Sequence, residues 1–296
     1  MKVAVIGCGR VGWAFAGALA RRPGKVSLAG VHSREMDRAR ALIRWCGRGR
    51  AFAKVEEAAG AADVLLLCVS DAAIPTVASR LARGAVRGKV VLHTSGALGR
   101  EPLASLARRG AIVGALHPLA AFPRAGSRGS RTIFSRPLGF AISGDAKAAT
   151  ISRGIVRALG GLAIDVPKGS RAAYHLAASL MANHVTVLAL LALDLLRARA
   201  RMRSPAVTKA FIALLRTVSD RLEEEPSLQA LTGPAARGDL TTLRRHLRVL
   251  AHDRDALAET YRLLGGEAVR MSLRRGSLSP AAAVAALRLL ASPRAR

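Results

Sequence analysis

The first half of the chain alternates short apolar runs with amphipathic stretches. "KVAVIG" (2–7), "KVSLAGV" (25–31), "GKVVLHTSG" (88–96), "AIVGALHP" (111–118), "LGFAISGD" (138–145) and "GLAIDVP" (161–167) read as strands. "DVLLLCVS" (63–70) is apolar at nearly every position, the pattern of a parallel strand buried on both faces. Helical periodicity fills 10–22, 34–46, 72–83 and 146–159. Strands and helices in alternation imply a doubly wound α/β sheet. After Pro167 the pattern shows no strand. Helices are predicted over 169–200, 204–224, about 239–251, 253–264 and 279–291, with Pro205, Pro226, Pro234 and Pro280 at starts or breaks. The fold class is therefore α/β over 1–167 followed by an all-α domain over 168–296. The segment 118–137, rich in Gly, Ser, Pro and Arg, is long enough to be expected as a mobile or functional loop.

One stretch departs from the apolar rule. "YHLAASLMANH" (174–184) lies in a mostly apolar helix, yet His175, Ser179 and Asn183 recur every four residues. On an α-helix they share a face within an arc of about 80°. Polar groups on a helix that is otherwise ready for burial need a partner: a side chain, water or a ligand. The stretch 176–196 approaches membrane-span length, but Ser179, Asn183, His184 and Asp194 are costly in lipid. A helix buried in a core or a subunit interface is the expectation, with no membrane partner.

Composition changes this picture little. Apolar residues make up 51% of the 296 positions, enough for a substantial core, while aromatics are only 3%. The net charge of +28 invites a nucleic-acid reading. Against it, the charge is nearly all Arg, is spread along the chain, and lacks aromatic residues for base stacking. No specific nucleic-acid partner is expected. Cys8, Cys46 and Cys68 fit neither a zinc pattern nor a disulfide framework, which suits a reducing, cytoplasmic setting and no metal. The N-terminus superficially resembles a signal peptide, but its regularly spaced glycines argue for another role.

Those glycines are Gly7-x-Gly9-x-x-Gly12, placed after a strand and at the opening of a helix, within the first βαβ unit. In that context the pattern is the dinucleotide fingerprint. Gly7 allows a tight turn, Gly9 lets the backbone approach a pyrophosphate, and Gly12 lets the helix pack on the strand. The intervening Cys8, Arg10 and Val11 complete the loop. The helix N-terminus supplies free N–H groups for phosphate. The second strand chooses the cofactor: where NAD proteins carry an acid, this chain reads His32, Ser33, Arg34. A hydroxyl and a guanidinium suit a 2′-phosphate, so NADP(H) is expected over NAD(H). Glu35 and Asp37 would weaken this if the strand ended later.

"GCGRVG", "LLLCVSDAAI", "HTSGALG", "ALHPLAAF", "YHLAASLMANH" and "ALTGPAARGDLTTLRRHL" occur in that order. Together they make the chain resemble the Rossmann-like family whose C-terminal half is the domain of unknown function 2520. That family is similar to pyrroline-5-carboxylate reductase, ketopantoate reductase and 6-phosphogluconate dehydrogenase. The resemblance implies a candidate NADP-dependent oxidoreductase, a homodimer through its helical domain, and a small carboxylated substrate, with ketopantoate the leading guess.

In hydroxyacid-dehydrogenase and ketopantoate-reductase relatives, a Lys four residues before an Asn on the first long helix after the nucleotide domain handles the carbonyl proton. The corresponding pair here is Ser179 and Asn183, without the Lys. A Ser can donate a hydrogen bond or relay a proton but cannot match an ammonium. His175, one turn earlier, and His117, at the C-terminal end of a predicted strand, are the candidate acids. Arg237 in "LTGPAARGD" is a candidate carboxylate partner, with Asp239 beside it as a helix N-cap. Cys68, Val69 and Ser70, and Thr94 and Ser95, end strands and should pass near the cofactor. The alternative reading is a non-catalytic NADP-binding protein that lost the chemistry along with the Lys.

Overall fold

The computed structural model describes residues 1–22, 24–251 and 256–292. Eight strands form one sheet in the order β3-β2-β1-β4-β5-β6-β7-β8. They are β1 (Lys2–Ile6), β2 (Ser27–His32), β3 (Arg50–Phe52), β4 (Val64–Leu67), β5 (Val90–His93), β6 (Ile112–Pro118), β7 (Gly139–Gly144) and β8 (Leu162–Asp165). All neighbours run parallel except β6 and β7, which pair antiparallel with His117 opposite Ala141. The order reverses beside β1, where β2 lies on one side and β4 on the other. Open α/β sheets bind ligands outside the strand ends at such a switch point.

The apolar runs predicted as strands all lie in this sheet, and the doubly wound class holds. Helices α1 (Arg10–Arg21), α2 (Met36–Cys46), α3 (Val55–Ala61), α4 (Ile74–Leu81), α5 (Ala104–Arg108), α6 (Arg128–Thr132) and α7 (Ala146–Ala158) connect the strands. Val64–Leu67 is buried at all four positions, and its alternate residues feed two separate clusters, one on each face of the sheet. The three-residue β3 and the short α3 went unread, because neither spans enough positions to show a period.

The segment 118–137 is less free than expected. It folds into α6 and a 3₁₀ turn, and Phe122 and Phe134 pack with Phe15 and Phe140 of the core. Trp13 meets Trp45 edge to face at 5.1 Å, and the Arg131 guanidinium lies 4.8 Å over the Trp45 ring. Arg21 donates to the Arg131 carbonyl. These contacts tie the segment to α1 and α2.

Beyond the sheet come α8 (Arg171–Ser179), a π-helical turn (Leu180–His184), α9 (Val185–Ala198), α10 (Pro205–Glu224), α11 (Pro234–Arg237), α12 (Leu240–Leu250), α13 (Ala256–Arg274) and α14 (Pro280–Ala291). The expected start of a helix at 253 lies outside the described residues. The strand-to-helix change falls near 167, but the compact units are 1–184 and 185–296, so α8 packs as part of the sheet's unit. The second unit has its own core of Leu243, Val269, Leu278, Ala283, Ala286 and Leu290. Burial of the long apolar helix in a core of this chain is not what forms. Arg171–Ala198, with mean hydropathy 1.9, is long and apolar enough to cross a membrane, yet only 6% of that window is buried. In α10 no described residue is buried.

Candidate active site

Two cavities open at the C-terminal ends of the strands. The first, about 480 Å³, is lined by Gly7, Cys8 and Gly9 after β1 and by Cys68, Val69 and Ser70 after β4. Its far wall is His32, Ser33, Arg34, Glu35 and Arg38. The glycines perform distinct tasks. Gly7 has φ +108°, and a Cβ there would sit 2.4 Å from the Cys68 carbonyl oxygen. A Cβ on Gly12 would fall 1.9 Å from the Gly7 carbonyl oxygen, so the helix can approach the turn only as glycine. A Cβ on Gly9 would meet no heavy atom within 4 Å. Space is kept above Gly9, which a packing role does not explain and a pyrophosphate does.

Arg10 and Val11 do not line this cavity: Arg10 is exposed at the start of α1 and Val11 packs against the core. Burial pushes the Cys8 thiol up to about 11 and drives the Cys68 thiol up further, so both stay uncharged beside the phosphate site. Glu35 is held by Arg38 at 2.8 Å, which offsets its negative charge. Arg38 was not foreseen; it sits one helical turn beyond Arg34, on the face that turns back to the cavity. His32 donates from Nδ1 to the Phe52 carbonyl at 3.0 Å and acts as a strut between strand ends.

The second cavity, about 580 Å³, answers what the polar stripe faces. His175, Ser179 and Asn183 line it together with His117 and Tyr174. The stripe is tighter than an ideal helix would make it. The chain passes into the π turn at Leu180, and in that wider turn the fourth residue on lags instead of overshooting. Asn183 Nδ2 thus donates to Ser179 Oγ at 3.2 Å. The Ser179 carbonyl accepts from His184 Nδ1 at 3.2 Å. Alanines and Met181 complete the α8 side, and Leu119, Ala120 and Ala121 the other. Among the described residues no Lys, Arg, Asp or Glu lines this cavity.

His117 ends β6 and shares a 2.7 Å hydrogen bond between its Nδ1 and the Tyr174 hydroxyl. Its ring lies 6.1 Å from that of His175, at 77°. Gly96 makes this possible, because a Cβ there would lie 2.5 Å from His175 Cδ2 and 2.9 Å from His117 Nε2. Desolvation by burial, then the nearby Arg171 cation, lowers the His117 pKa to about 4. At neutral pH His117 is an uncharged imidazole. Burial raises the Tyr174 pKa, and Arg171 opposes that rise.

Arg171 is a site residue the sequence reading passed over, since it looks like an ordinary first-turn Arg. It is 8% exposed. It donates to the Ser95 carbonyl at 2.7 Å and to Ser143 Oγ at 3.0 Å, and its guanidinium lies 5.7 Å over the Tyr174 ring. Thr94 and Ser95 line neither cavity. Thr94 Oγ1 donates to the Leu67 carbonyl, and Ser95 Oγ donates to Asp71 at 2.8 Å while accepting from the Leu98 N–H. His93 accepts from the Ser95 N–H at Nδ1 and gives its Nε2 proton to the Gly99 carbonyl. The "HTSG" stretch therefore braces Arg171 and both imidazoles from behind. In the helical unit, Asp239 caps α12 as expected, accepting from the Thr242 N–H at 3.0 Å and hydroxyl at 2.6 Å. Arg237 ends α11 with its side chain exposed. Among the described residues no group of His, Cys, Asp and Glu could hold a metal ion.

A doubly wound sheet with a glycine-lined cavity at its switch point, followed by a helical extension, defines a nucleotide-binding class of fold. Residues 1–118 match the Rossmann-like domain and residues 138–268 match the domain of unknown function DUF2520. The chain belongs to the Rossmann-like proteins that carry a DUF2520 domain. No curated protein matches its sequence. Among solved structures, it is similar to a candidate NADP oxidoreductase from Bacteroides fragilis, at 23% identity and TM-score 0.72, covering 90% of this chain and 97% of that one. A protein from Thermotoga maritima aligns at 22% identity and TM-score 0.67, covering 93% and 99%. A reductive aminase from Aspergillus terreus, in complex with NADPH and ethyl-5-oxohexanoate, aligns at 19% identity and TM-score 0.59, covering 98% and 92%. At these identities the likeness is one of fold.

Proposed function

We propose that the protein is an NADP(H)-dependent oxidoreductase. The observation that carries this reading is the cavity of Gly7, Gly9, Ser33, Arg34 and Arg38: open backbone for a pyrophosphate, then a hydroxyl and two guanidiniums for a 2′-phosphate. The Bacteroides fragilis protein named for NADP and the reductive aminase bound to NADPH support the same cofactor. The bound cofactor would supply or accept the hydride, and the protein supplies orientation and the proton. His117, Tyr174, His175, Ser179 and Asn183 would surround the reacting carbonyl or imine carbon. With no Lys at 179, proton delivery falls to Ser179, hydrogen-bonded to Asn183, and to His175 one turn earlier.

The substrate in this reading is a small ketone or imine bearing a carboxylate, ketopantoate-like 2-keto acids first. The carboxylate would have to be met by a residue other than those of the 580 Å³ cavity, and Arg237 is the assigned partner. We assign the working form to a homodimer. The support is the apolar surface of the helical segments: Leu176, Leu180 and Met181, then Leu190, Leu214 and Val218 are all exposed large hydrophobics. Light scattering on the purified protein checks this, and a monomer at micromolar concentration refutes it.

The deciding experiment follows NADPH absorbance with 2-keto acids and cyclic imines, with NADH in parallel. Oxidation of NADPH with one of them, and little with NADH, supports the assignment. Tight NADPH binding without turnover favours a non-catalytic binding protein, the reading suggested by Ser179 where relatives carry Lys. No NADPH binding overturns the assignment.

A further inference from the structure

The Tyr174–His117 contact has a polarity that the chemistry of its partners sets. Tyr174 has an O–H and a lone-pair oxygen; a neutral imidazole has one N–H and one bare nitrogen. A phenol is a far stronger acid than an imidazole N–H, and a bare imidazole nitrogen is a far better base than a phenol oxygen. Their bond is therefore strongest as phenol O–H donating to imidazole nitrogen. No other hydrogen bond of the Tyr174 hydroxyl competes with it among the described residues. With Nδ1 accepting, the ring proton must reside on Nε2. Among the described residues that atom has no hydrogen-bond partner; it lies beside Gly96 and His175 and belongs to a residue lining the 580 Å³ cavity.

We infer that Tyr174 locks His117 in its Nε2–H tautomer, so that His117 presents a hydrogen-bond donor, not a base, to the reacting oxygen or nitrogen of the substrate. Three further features support this. Burial together with the Arg171 cation keeps His117 from gaining a second proton, with His175 and His93 acting in the same direction and Asp71 opposing. Burial raises the pKa of the Tyr174 phenol and so keeps its proton on the oxygen, while the Arg171 guanidinium over the ring opposes part of that rise. Arg171 is itself fixed by Ser95 and Ser143, with Nε left unpartnered and buried, so this cation is held in place at a cost in desolvation. The result is an uncharged imidazole that polarises a carbonyl or imine by hydrogen bonding while keeping its own Nε2 proton, the arrangement by which a neutral histidine serves as an electrophile in other enzymes. Tyr174 acts through His117 and is a positioning residue. The donor role rests on the oxidoreductase reading; the tautomer does not.

The test begins with the tautomer, which needs neither cofactor nor substrate. Long-range ¹H–¹⁵N spectra of the ¹⁵N-labelled full chain at pH 7, assigned with His117→Gln, should show the His117 proton on Nε2 and a bare Nδ1. Tyr174→Phe should shift the ring toward a mixture of tautomers. An Nδ1–H tautomer in the wild type overturns the inference, whether or not Tyr174→Phe folds, and so does a tautomer unchanged in a folded Tyr174→Phe. With a substrate from the NADPH panel, Tyr174→Phe should lower kcat about tenfold and leave KM within twofold. His117→Gln, whose amide N–H can stand near Nε2 but cannot accept a proton, should keep at least ten times the kcat of His117→Ala. Equal loss in His117→Gln and His117→Ala would mean that His117 must transfer a proton and not merely donate a hydrogen bond, and would overturn the donor role while leaving the oxidoreductase reading intact.

Discussion

The pocket after β1 and β4 is built on a glycine turn, whereas the cavity beside α8 is lined by polar side chains spaced along a helix and by His117 across from them. In the first, Gly7 and Gly12 let a turn press against a helix, and Gly9 leaves the backbone open where N–H groups would meet a phosphate. In the second, the His117 imidazole and the Tyr174 phenol hold each other, as do the Ser179 hydroxyl and the Asn183 amide, and the His175 ring lies against that of His117. A backbone site tolerates no movement of the main chain but much exchange of side chains. A side-chain site depends on the supports behind it, and those supports sit in the turn after β5, on β7 and on α8 rather than in one motif.

Substitutions can break this contrast. The largest effect is expected for Gly12→Ala. Its Cβ would collide with the Gly7 carbonyl, so stability should fall by about 3 kcal/mol or more, seen by urea unfolding. Gly96→Ala should leave the sheet folded and NADPH affinity unchanged while parting His117 from His175. Turnover should drop by about a hundredfold, and a wild-type rate would show that the two rings need not stand together. Gly9→Ala sharpens the contrast from the other side. Its Cβ has room in the protein, so melting should be unmoved, whereas NADPH should bind about thirtyfold more weakly by fluorescence titration. Arg34→Ala and Arg38→Ala should each weaken NADPH about tenfold and leave NADH unchanged, because the contact they would make is to the extra phosphate alone.

The smallest effect comes from pH. His117 keeps a pKa of about 4 in the folded protein, against about 6.5 in an unfolded chain, and burial shifts His93 in the same direction. Below pH 6.5 the unfolded state takes up the proton first. The stability contributed by the uncharged ring is therefore whole above 6.5 and is lost as pH falls toward 4. Between pH 7 and pH 5.5 the unfolding free energy should drop by about 1 kcal/mol, and His117→Gln should flatten that slope.

The pocket on the glycine turn was legible in the sequence because its cause is local. Gly7, Gly9 and Gly12 follow an apolar run by fixed steps, and Ser33 and Arg34 follow the next one. Even so, Arg38 was missed and Arg10 was overvalued, since the direction a side chain takes on leaving a helix is settled by packing. For the second cavity, the four-residue spacing of His175, Ser179 and Asn183 gave the stripe, but not the π turn that draws Asn183 onto Ser179. Arg171 and Tyr174 stand within four residues of His175; Tyr174 opens the quoted stretch but was given no role, and Arg171 lies outside it. Their importance arises from Ser95, Ser143 and His117, which are 76, 28 and 57 residues away. The sequence reading also foresaw burial for the apolar helix, which the chain by itself does not provide. Hydrophobicity predicts that a surface will be covered, but not by what.

The pairing of Trp13 with Trp45 gives the protein an optical property. These are its two tryptophans, stacked edge to face within one patch and overlain by Arg131. Ultraviolet emission from the whole molecule therefore originates at one spot, where the 118–137 segment is fastened to α1 and α2. The patch lies on the helix that opens at the glycine turn, so a reduced nicotinamide in the pocket would take up part of that emission. Light collected from an unlabelled sample would report both whether the strap is seated and whether the pocket is filled.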